Sequence, residues 1–255
     1  MGWNPEQYLK FAEARLRPAL DLLGRVELEA PQRIGDLGCG AGNVTALLAR
    51  RWPAAELTGV DSSPRMLEAA RAALPGARWE CADIATWQPP QRLDLLYSNA
   101  ALQWLPDHSH LFPALLRLVA TGGVLAVQMP GNFASPSHTA ITETVYAGPW
   151  SARLAPLLRP VPVAAPDVYY RLLRPQAARI DIWTSDYLQV LEGPNPVKEW
   201  TKGTALKPFL DALDAFDAEA FEADYAERVR LAYPPQADGT TLFPFRRLFI
   251  VARRG

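Results

Sequence analysis

The residues that invite chemistry fall at four places in the chain. Asp36-Leu37-Gly38-Cys39-Gly40-Ala41-Gly42 sets three glycines two residues apart behind an acid. Glycines let a backbone turn sharply and let a ligand come close to it. A helix starting behind that loop would add unpaired N–H groups aimed at the same space. Asp61 lies 23 residues beyond Gly38, where a carboxylate can accept hydrogen bonds from both hydroxyls of a ribose. Asp83-Ile84 pairs an acceptor for the amino edge of an adenine with an apolar cover for its face. Asn99, through side chain or backbone, can hold the amino-acid end of a ligand, and Asp36 suits an α-amino group.

Each of these has a plainer use. The glycines could simply make a tight turn, Asp61 could only start a helix, and Asp83 could be a surface loop acid. Their joint occurrence argues for a nucleoside with an amino-acid tail. The dinucleotide fingerprint G-x-G-x-x-G competes for the loop, but it needs glycine or alanine where this chain has Asn43. A dinucleotide also needs a second mononucleotide half, and the chain after Pro130 does not repeat the first. S-adenosylmethionine (SAM) carries an α-amino group and NAD does not.

The elements that must position these residues alternate along the first half. Residues 4–24 read as an amphipathic helix with Tyr8, Phe11, Leu16, Leu20 and Leu23 near one face and Gly24 to end it. Strands are expected at Arg33 to Leu37, Glu56 to Val60, Ala77 to Ala82, Leu93 to Ser98 and Gly123 to Met129. Helices are expected at Asn43 to Arg51, from Pro64 to Leu74 with Ser63 as its cap, and at Pro106 to Ala120. The nearly all-apolar fourth strand suits one covered on both faces. A βαβαβ order implies a parallel sheet with right-handed crossovers, whose carboxyl edge forms the ligand crevice. After Pro130 the alternation stops. Residues 131–178 are proline-rich with short helical stretches, Arg179 to Leu191 is a strand candidate, 195–233 look helical, and Thr241 to Ala252 is the last strand.

Composition narrows the function class. The chain has 255 residues, 49% apolar and 21% charged, with a formal net charge of −1. That is an ordinary globular balance without the basic excess a nucleic-acid binder shows. The first ten residues lack an apolar leader core, Glu6 stands where a myristoylation motif wants Ser or Thr, and no apolar run is long enough to span a bilayer. Cys39 and Cys81 form no CxxC, and neither they nor the three histidines have metal-ligand spacing. A cytoplasmic protein with no metal, no membrane and no nucleic-acid partner is expected, its oligomeric state left open.

Asp36 to Gly42, Asp61-Ser62, Asp83-Ile84 and Asn99 resemble the successive motifs of class I SAM-dependent methyltransferases. Within that class the chain resembles the trans-aconitate methyltransferase family. Trp3-Asn4-Pro5, Tyr8 to Pro18, Arg51 to Ala55, Gln103 to His108, Val124 to Pro130, Tyr169-Tyr170, Asp181-Ile182-Trp183 and Arg247 to Ala252 carry the likeness, and about Ser135 to Pro166 match less well. The resemblance implies a Rossmann-like α/β sheet, mostly parallel with an antiparallel last strand. It implies one methyltransferase domain, 1–255, with a helical cap from about 1–30, 131–178 and 192–233.

It also implies methyl transfer from SAM to a carboxylate oxygen of trans-aconitate, giving the monomethyl ester and S-adenosylhomocysteine. SAM would be held by Asp36, Gly38, Gly40, Asp61, Ser62, Asp83, Ile84, Asn99 and Arg15. The anionic acceptor would meet Gln103, Trp104, Tyr169, Tyr170, Arg247 and Tyr8. Trp104 either walls the transfer site or packs in the core. No catalytic base is called for, because a carboxylate of pKa about 4 is already ionised at neutral pH. His108, after a Pro-Asp turn, reads as a surface residue at a helix start. Residues 150–180 and the last stretch supply arginines for a polyanion: Arg153, Arg159, Arg171, Arg174, Arg179, Arg246, Arg247, Arg253 and Arg254. The acids of residues 211–227 read as a solvated face of cap helices. Another small polycarboxylate or a malonyl thioester is an alternative acceptor, and a SAM-binding protein without catalysis is the alternative of another class.

Overall fold

A computed structural model describes residues 12–161 and 163–255, with side chains from Leu16 onward. Its elements follow the expected alternation: α1 (Ala12–Gly24), β1 (Arg33–Leu37), α2 (Asn43–Arg51), β2 (Glu56–Asp61), α3 (Pro64–Ala73), β3 (Arg78–Cys81), β4 (Leu93–Asn99), a 3₁₀ turn (Leu102–Trp104), α4 (His108–Leu118) and β5 (Val119–Pro130). Next come α5 (Pro136–Ala147), α6 (Ser151–Leu154), a second 3₁₀ turn (Ala155–Leu157), α7 (Pro166–Leu173) and β6 (Ala177–Leu191). The helices α8 (Pro196–Lys202), α9 (Lys207–Leu210) and α10 (Ala215–Ala232) precede β7 (Thr241–Arg254). Ser63 caps α3 by accepting from the Met66 N–H at 3.4 Å, with Pro64 at the first helical position, as expected.

The sheet has seven strands in the order β3-β2-β1-β4-β5-β7-β6. The first five pair in parallel and β7 runs antiparallel to β5. Strand order reverses on either side of β1, which is the switch point where an open α/β sheet leaves a crevice.

The chain forms two compact units. One comprises residues 15–130, 163–184 and 247–255, and the other comprises residues 12–14, Gly131–Val161 and Ser185–Arg246 among the described residues. In the first, Leu37, Val60, Leu96, Leu125, Val127, Met129 and Ile250 from the sheet pack with Phe112, Leu115, Leu116, Tyr169 and Leu173 from α4 and α7. Burying side chains of this size is worth about 1.5–3 kcal/mol each. α7, which the sequence grouped with the proline-rich insertion, packs on α4 in this unit.

The second unit has its own core of Ile141, Val145, Trp150, Trp200, Phe221, Tyr225, Phe243 and Phe245. Its acids are exposed or half-buried, as expected of a solvated face, and several are paired there. Glu222 holds both Lys198 and Lys202 at 2.8 Å, and Asp211, Asp224 and Glu227 pair with Lys207, Arg228 and Arg230. The bases that pair with them, from Lys198 to Arg230, lie outside residues 211–227.

Candidate functional site

The glycine loop joins β1 to α2 and folds over β2: the N–H groups of Gly38 and Cys39 both donate to the Val60 carbonyl, at 2.8 and 3.1 Å. Its three glycines have positive φ, but they serve two purposes. A side chain at Gly38 would strike the Ala101 Cβ at 2.2 Å, and one at Gly42 would strike Trp79 at 2.8 Å, so both are packing glycines. Gly40, at φ +54°, has nothing within 4 Å of where a Cβ would stand. There the loop presents bare backbone to open space, as close approach of a ligand requires.

Asp61 ends β2 and fixes this loop. Its Oδ2 accepts the Gly40 N–H at 2.9 Å and its Oδ1 accepts the Ser63 N–H at 2.9 Å. Each oxygen keeps lone-pair capacity beyond those bonds. Ser62, between them, is exposed. Asp83 lies two residues past the end of β3 instead of at the end itself, and its Oδ1 accepts the Ala85 N–H at 2.9 Å in a local turn, with Ile84 half-buried beside it. Asp36 is buried and its Oδ2 accepts the Thr45 hydroxyl at 2.6 Å. Burial raises its pKa to about 7, the Thr45 bond opposes that rise, and the Asp61 charge adds to it.

Past β4 the chain makes a turn the sequence did not announce. Ala100 sits in the left-handed region at φ +54°, a strained place for a residue with a Cβ. Its N–H donates to the Gln128 carbonyl at 2.9 Å and its own carbonyl accepts the Gln103 side-chain amide at 2.7 Å. Gln103 is buried and its Oε1 has no partner among the described residues; the same holds for the Asn99 Oδ1. Trp104 is 62% exposed, so the structure answers the alternative of core packing: it does not pack there.

Two expectations are corrected behind this turn. His108 is buried, not a surface residue: its Nε2 lies 2.9 Å from the Leu102 carbonyl and its Nδ1 lies 2.6 Å from the Tyr169 hydroxyl. A carbonyl only accepts, so Nε2 carries the proton and Nδ1 accepts from Tyr169. The Tyr169 oxygen in turn accepts the Ala164 N–H at 3.1 Å. Burial lowers the His108 pKa and raises that of Tyr169 to about 12, so both stay neutral. Tyr169 is therefore no exposed donor to an acceptor molecule. It is a core residue with its hydroxyl committed to the His108 ring, which donates in turn to the Leu102 carbonyl beside Gln103 and Trp104. Tyr170, its neighbour, is 48% exposed.

Strand register adds a row of polar residues. Asp36 is level with Tyr97, Tyr97 with Ala126, Asn99 with Gln128, Gln128 with Phe249, and Pro130 with Arg247. Residues level across neighbouring strands share a face, as do alternate residues along one strand. Asp36, Asn99, Gln128 and Arg247 thus lie on one face, opposite the face that carries Leu96, Val127 and Ile250. Gln128 is fully buried and neither atom of its amide has a partner among the described residues. Sequence reasoning passed over it; its one signal was an amide inside the apolar run Val124 to Met129.

The arginines sort themselves. Arg153 faces Asp214 and Asp217, Arg171 pairs with Asp167, Arg179 with Glu27 and Arg246 with Asp186. Arg174, Arg253 and Arg254 donate to backbone carbonyls. Arg247 is the buried one, 6% exposed, on the face just described. Tyr8 and Phe11 lie outside the described residues, as does the side chain of Arg15.

A family model described as a methyltransferase domain matches residues 34–123. The chain is 49% identical over 252 residues to a protein of Azoarcus sp. (strain BH72) named trans-aconitate 2-methyltransferase, covering 99% of each. It is 48% identical over 255 residues to one of that name from Methylobacterium radiotolerans, covering 99% of this chain and 98% of the other. Among solved structures it is similar to the YcgJ protein of Bacillus subtilis, with TM-score 0.60, 14% identity and coverage of 94% of this chain and 99% of that one. It is also similar to a Haemonchus contortus phosphoethanolamine N-methyltransferase solved with S-adenosylhomocysteine, with TM-score 0.56, 16% identity and coverage of 94% and 53%. At those identities the structural likeness shows the fold.

Proposed function

This chain belongs to the trans-aconitate 2-methyltransferase family, and we propose that it transfers a methyl group from SAM to a carboxylate oxygen of trans-aconitate, giving the monomethyl ester and S-adenosylhomocysteine. Likeness over the whole chain to proteins of that name is the observation that carries this reading. The residues at the carboxyl edge of the sheet fit the cofactor. Asp61 would take the ribose hydroxyls on lone pairs left beyond its two backbone bonds. Gly40 leaves room for close approach, Asp83 and Ile84 would receive the adenine, and Asn99 has a buried oxygen in need of a donor. Asp36, once ionised, would balance the α-ammonium.

When bound, SAM supplies an electrophilic methyl group on a sulfonium sulfur. The protein's part is to hold a carboxylate in line and keep water away. Positioning of this kind is worth about 7–11 kcal/mol. Arg247 would anchor a carboxylate, with Gln103 and exposed Trp104 and Tyr170 beside the acceptor. The acceptor arrives already ionised, so the neutral His108 has no proton to remove. Among the described residues there is no cluster of three possible metal ligands and no helix long and apolar enough to cross a membrane. Both cysteines are free, which suits the cytoplasmic setting of this proposal.

Product formation with SAM and a panel of trans-aconitate, cis-aconitate, citrate, isocitrate and a malonyl thioester tests the reading. S-adenosylhomocysteine is expected chiefly with trans-aconitate, together with a monomethyl ester by mass. Turnover confined to another acid would overturn the substrate. Tight SAM binding with no turnover on any of them would overturn catalysis.

A further inference from the structure

We propose that Gln128 is a specificity-determining residue whose side-chain amide donates to a carboxylate of the acceptor, working next to Arg247 on the neighbouring strand. This rests on the methyltransferase reading above and adds a residue to it. The sheet order is the first argument. From one edge inward, β3, β2, β1 and β4 carry Asp83, Asp61, the glycine loop and Asn99, the whole expected cofactor contact set apart from Arg15. The next two strands, β5 and β7, are what remains for the acceptor, and near the same edge they carry Gln128 and Arg247 on one face.

The second argument is the state of the amide. Gln128 is fully buried, in a strand otherwise made of Val124, Leu125, Ala126, Val127 and Met129, and both its nitrogen and its oxygen lack a partner among the described residues. A buried amide without partners weakens a fold, and an apolar side chain of similar size would pack there at lower cost. A residue that the core does not need is accounted for by a ligand that it does. In the antiparallel β5–β7 pair, Gln128 and Arg247 stand diagonally, a relation that spaces residues about 7–8 Å apart. Both side chains are long enough to reach one carboxylate, or two carboxylates of one polyacid. A neutral amide beside the guanidinium adds a donor without adding charge, which favours an acceptor whose carboxylates are already partly balanced.

Gln128→Leu separates this role from a structural one. The variant's Tm without ligand is expected to rise, because two unbonded buried groups disappear. SAM Kd is expected to stay within about twofold, while KM for trans-aconitate rises about ten- to a hundred-fold, the worth of a hydrogen bond to a charged group. Gln128→Glu, which sets a like charge against the acceptor, is expected to raise KM further. With glutaconate, which lacks one carboxyl, the gap between wild type and Gln128→Leu is expected to shrink. A lower Tm with KM within twofold of wild type would make Gln128 structural and overturn the inference, as would a loss of SAM affinity equal to the loss for the acceptor. Those results leave wild-type turnover of trans-aconitate standing. Absence of that turnover in the wild type would instead overturn the substrate reading, and this inference with it.

Discussion

The carboxyl edge of the sheet has two halves built in different ways. On the β3-β2-β1-β4 side, the acids are already engaged by the protein's own backbone. Asp61 accepts the Gly40 and Ser63 amides, Asp83 accepts the Ala85 amide, and Asp36 accepts the Thr45 hydroxyl. On the other side, made by β5 and the turn that follows β4, the Gln103 oxygen and the whole Gln128 amide are buried with no partner among the described residues. The first half is set in shape before a ligand comes, and binding there adds hydrogen bonds to atoms already fixed. The second half holds buried polar groups that a ligand can satisfy. Preorganisation suits a cofactor common to every turnover, and the unpaired Gln128 N–H donor suits discrimination between acceptors, since an acid lacking a group leaves that donor unbonded.

The largest effect that would test this division comes from Asp61→Ala. Both the Gly40 and Ser63 amides lose their acceptor together with the ribose contacts, so the loop loses its shape as well as its ligand. SAM Kd, by calorimetry, is expected to rise by about 100-fold or more, at roughly 1.5–3 kcal/mol for each bond to a charged group. Far-UV circular dichroism is expected to stay unchanged. Unaltered SAM affinity would remove the cofactor from this half of the edge.

Arg247→Leu probes the other half. Removing a buried guanidinium that anchors a carboxylate is expected to lower kcat/KM for trans-aconitate by about 100-fold, with SAM Kd within about twofold. Arg247→Lys is expected to recover little, because an ammonium is a point charge where the guanidinium is a planar fork. Parallel losses in both ligands would erase the boundary between the halves.

The same division governs what could be read from the sequence. The first half rests on backbone geometry, and residues that permit unusual backbone geometry are few. Gly38, Gly40 and Gly42 behind a strand, with Asp61 and Asp83 close to the ends of the next two, left little freedom to place them otherwise. The second half rests on side chains whose meaning depends on register. Gln128 gained its significance only when pairing set it level with Asn99 and diagonal to Arg247. Tyr169 misled because two adjacent tyrosines read alike as donors to the acceptor, while the helix buries one and exposes the other. The arginines misled in bulk, since local charge excess ignores acids that lie far off in sequence, such as Glu27 for Arg179 and Asp186 for Arg246. Left-handed Ala100 gave no signal, because nothing in an alanine marks such a conformation.

Tyr169→Phe asks whether the turn presenting the second half is held from behind. The change leaves the His108 Nδ1 and the Ala164 N–H without their partner inside the core. A loss of about 1–3 kcal/mol of stability is expected by denaturant unfolding, the cost of unsatisfied buried groups. If the network positions Gln103 and Trp104, kcat is expected to fall while SAM Kd holds. Lost stability with unchanged kcat would confine the network to packing.

The smallest effect concerns Asp36, whose carboxyl titrates near neutrality. Its pKa stands at about 7 instead of the ordinary 3.8, because burial disfavours the carboxylate. Between those two values the folded chain holds a proton that the unfolded chain has released. Its contribution to stability is therefore full below pH 3.8 and is lost as pH climbs to about 7. An α-ammonium prefers the ionised form, so cofactor binding opposes that trend. SAM affinity is expected to rise by up to about tenfold per pH unit on approach to pH 7 from below, and to level off above it. Calorimetry in buffers of different ionisation enthalpy is expected to show proton release over the rising part. Asp36→Asn is expected to flatten the pH profile and to raise the stability of the free protein above pH 7. A pH slope that survives in Asp36→Asn would assign the titration to another group and leave Asp36 a structural partner of Thr45.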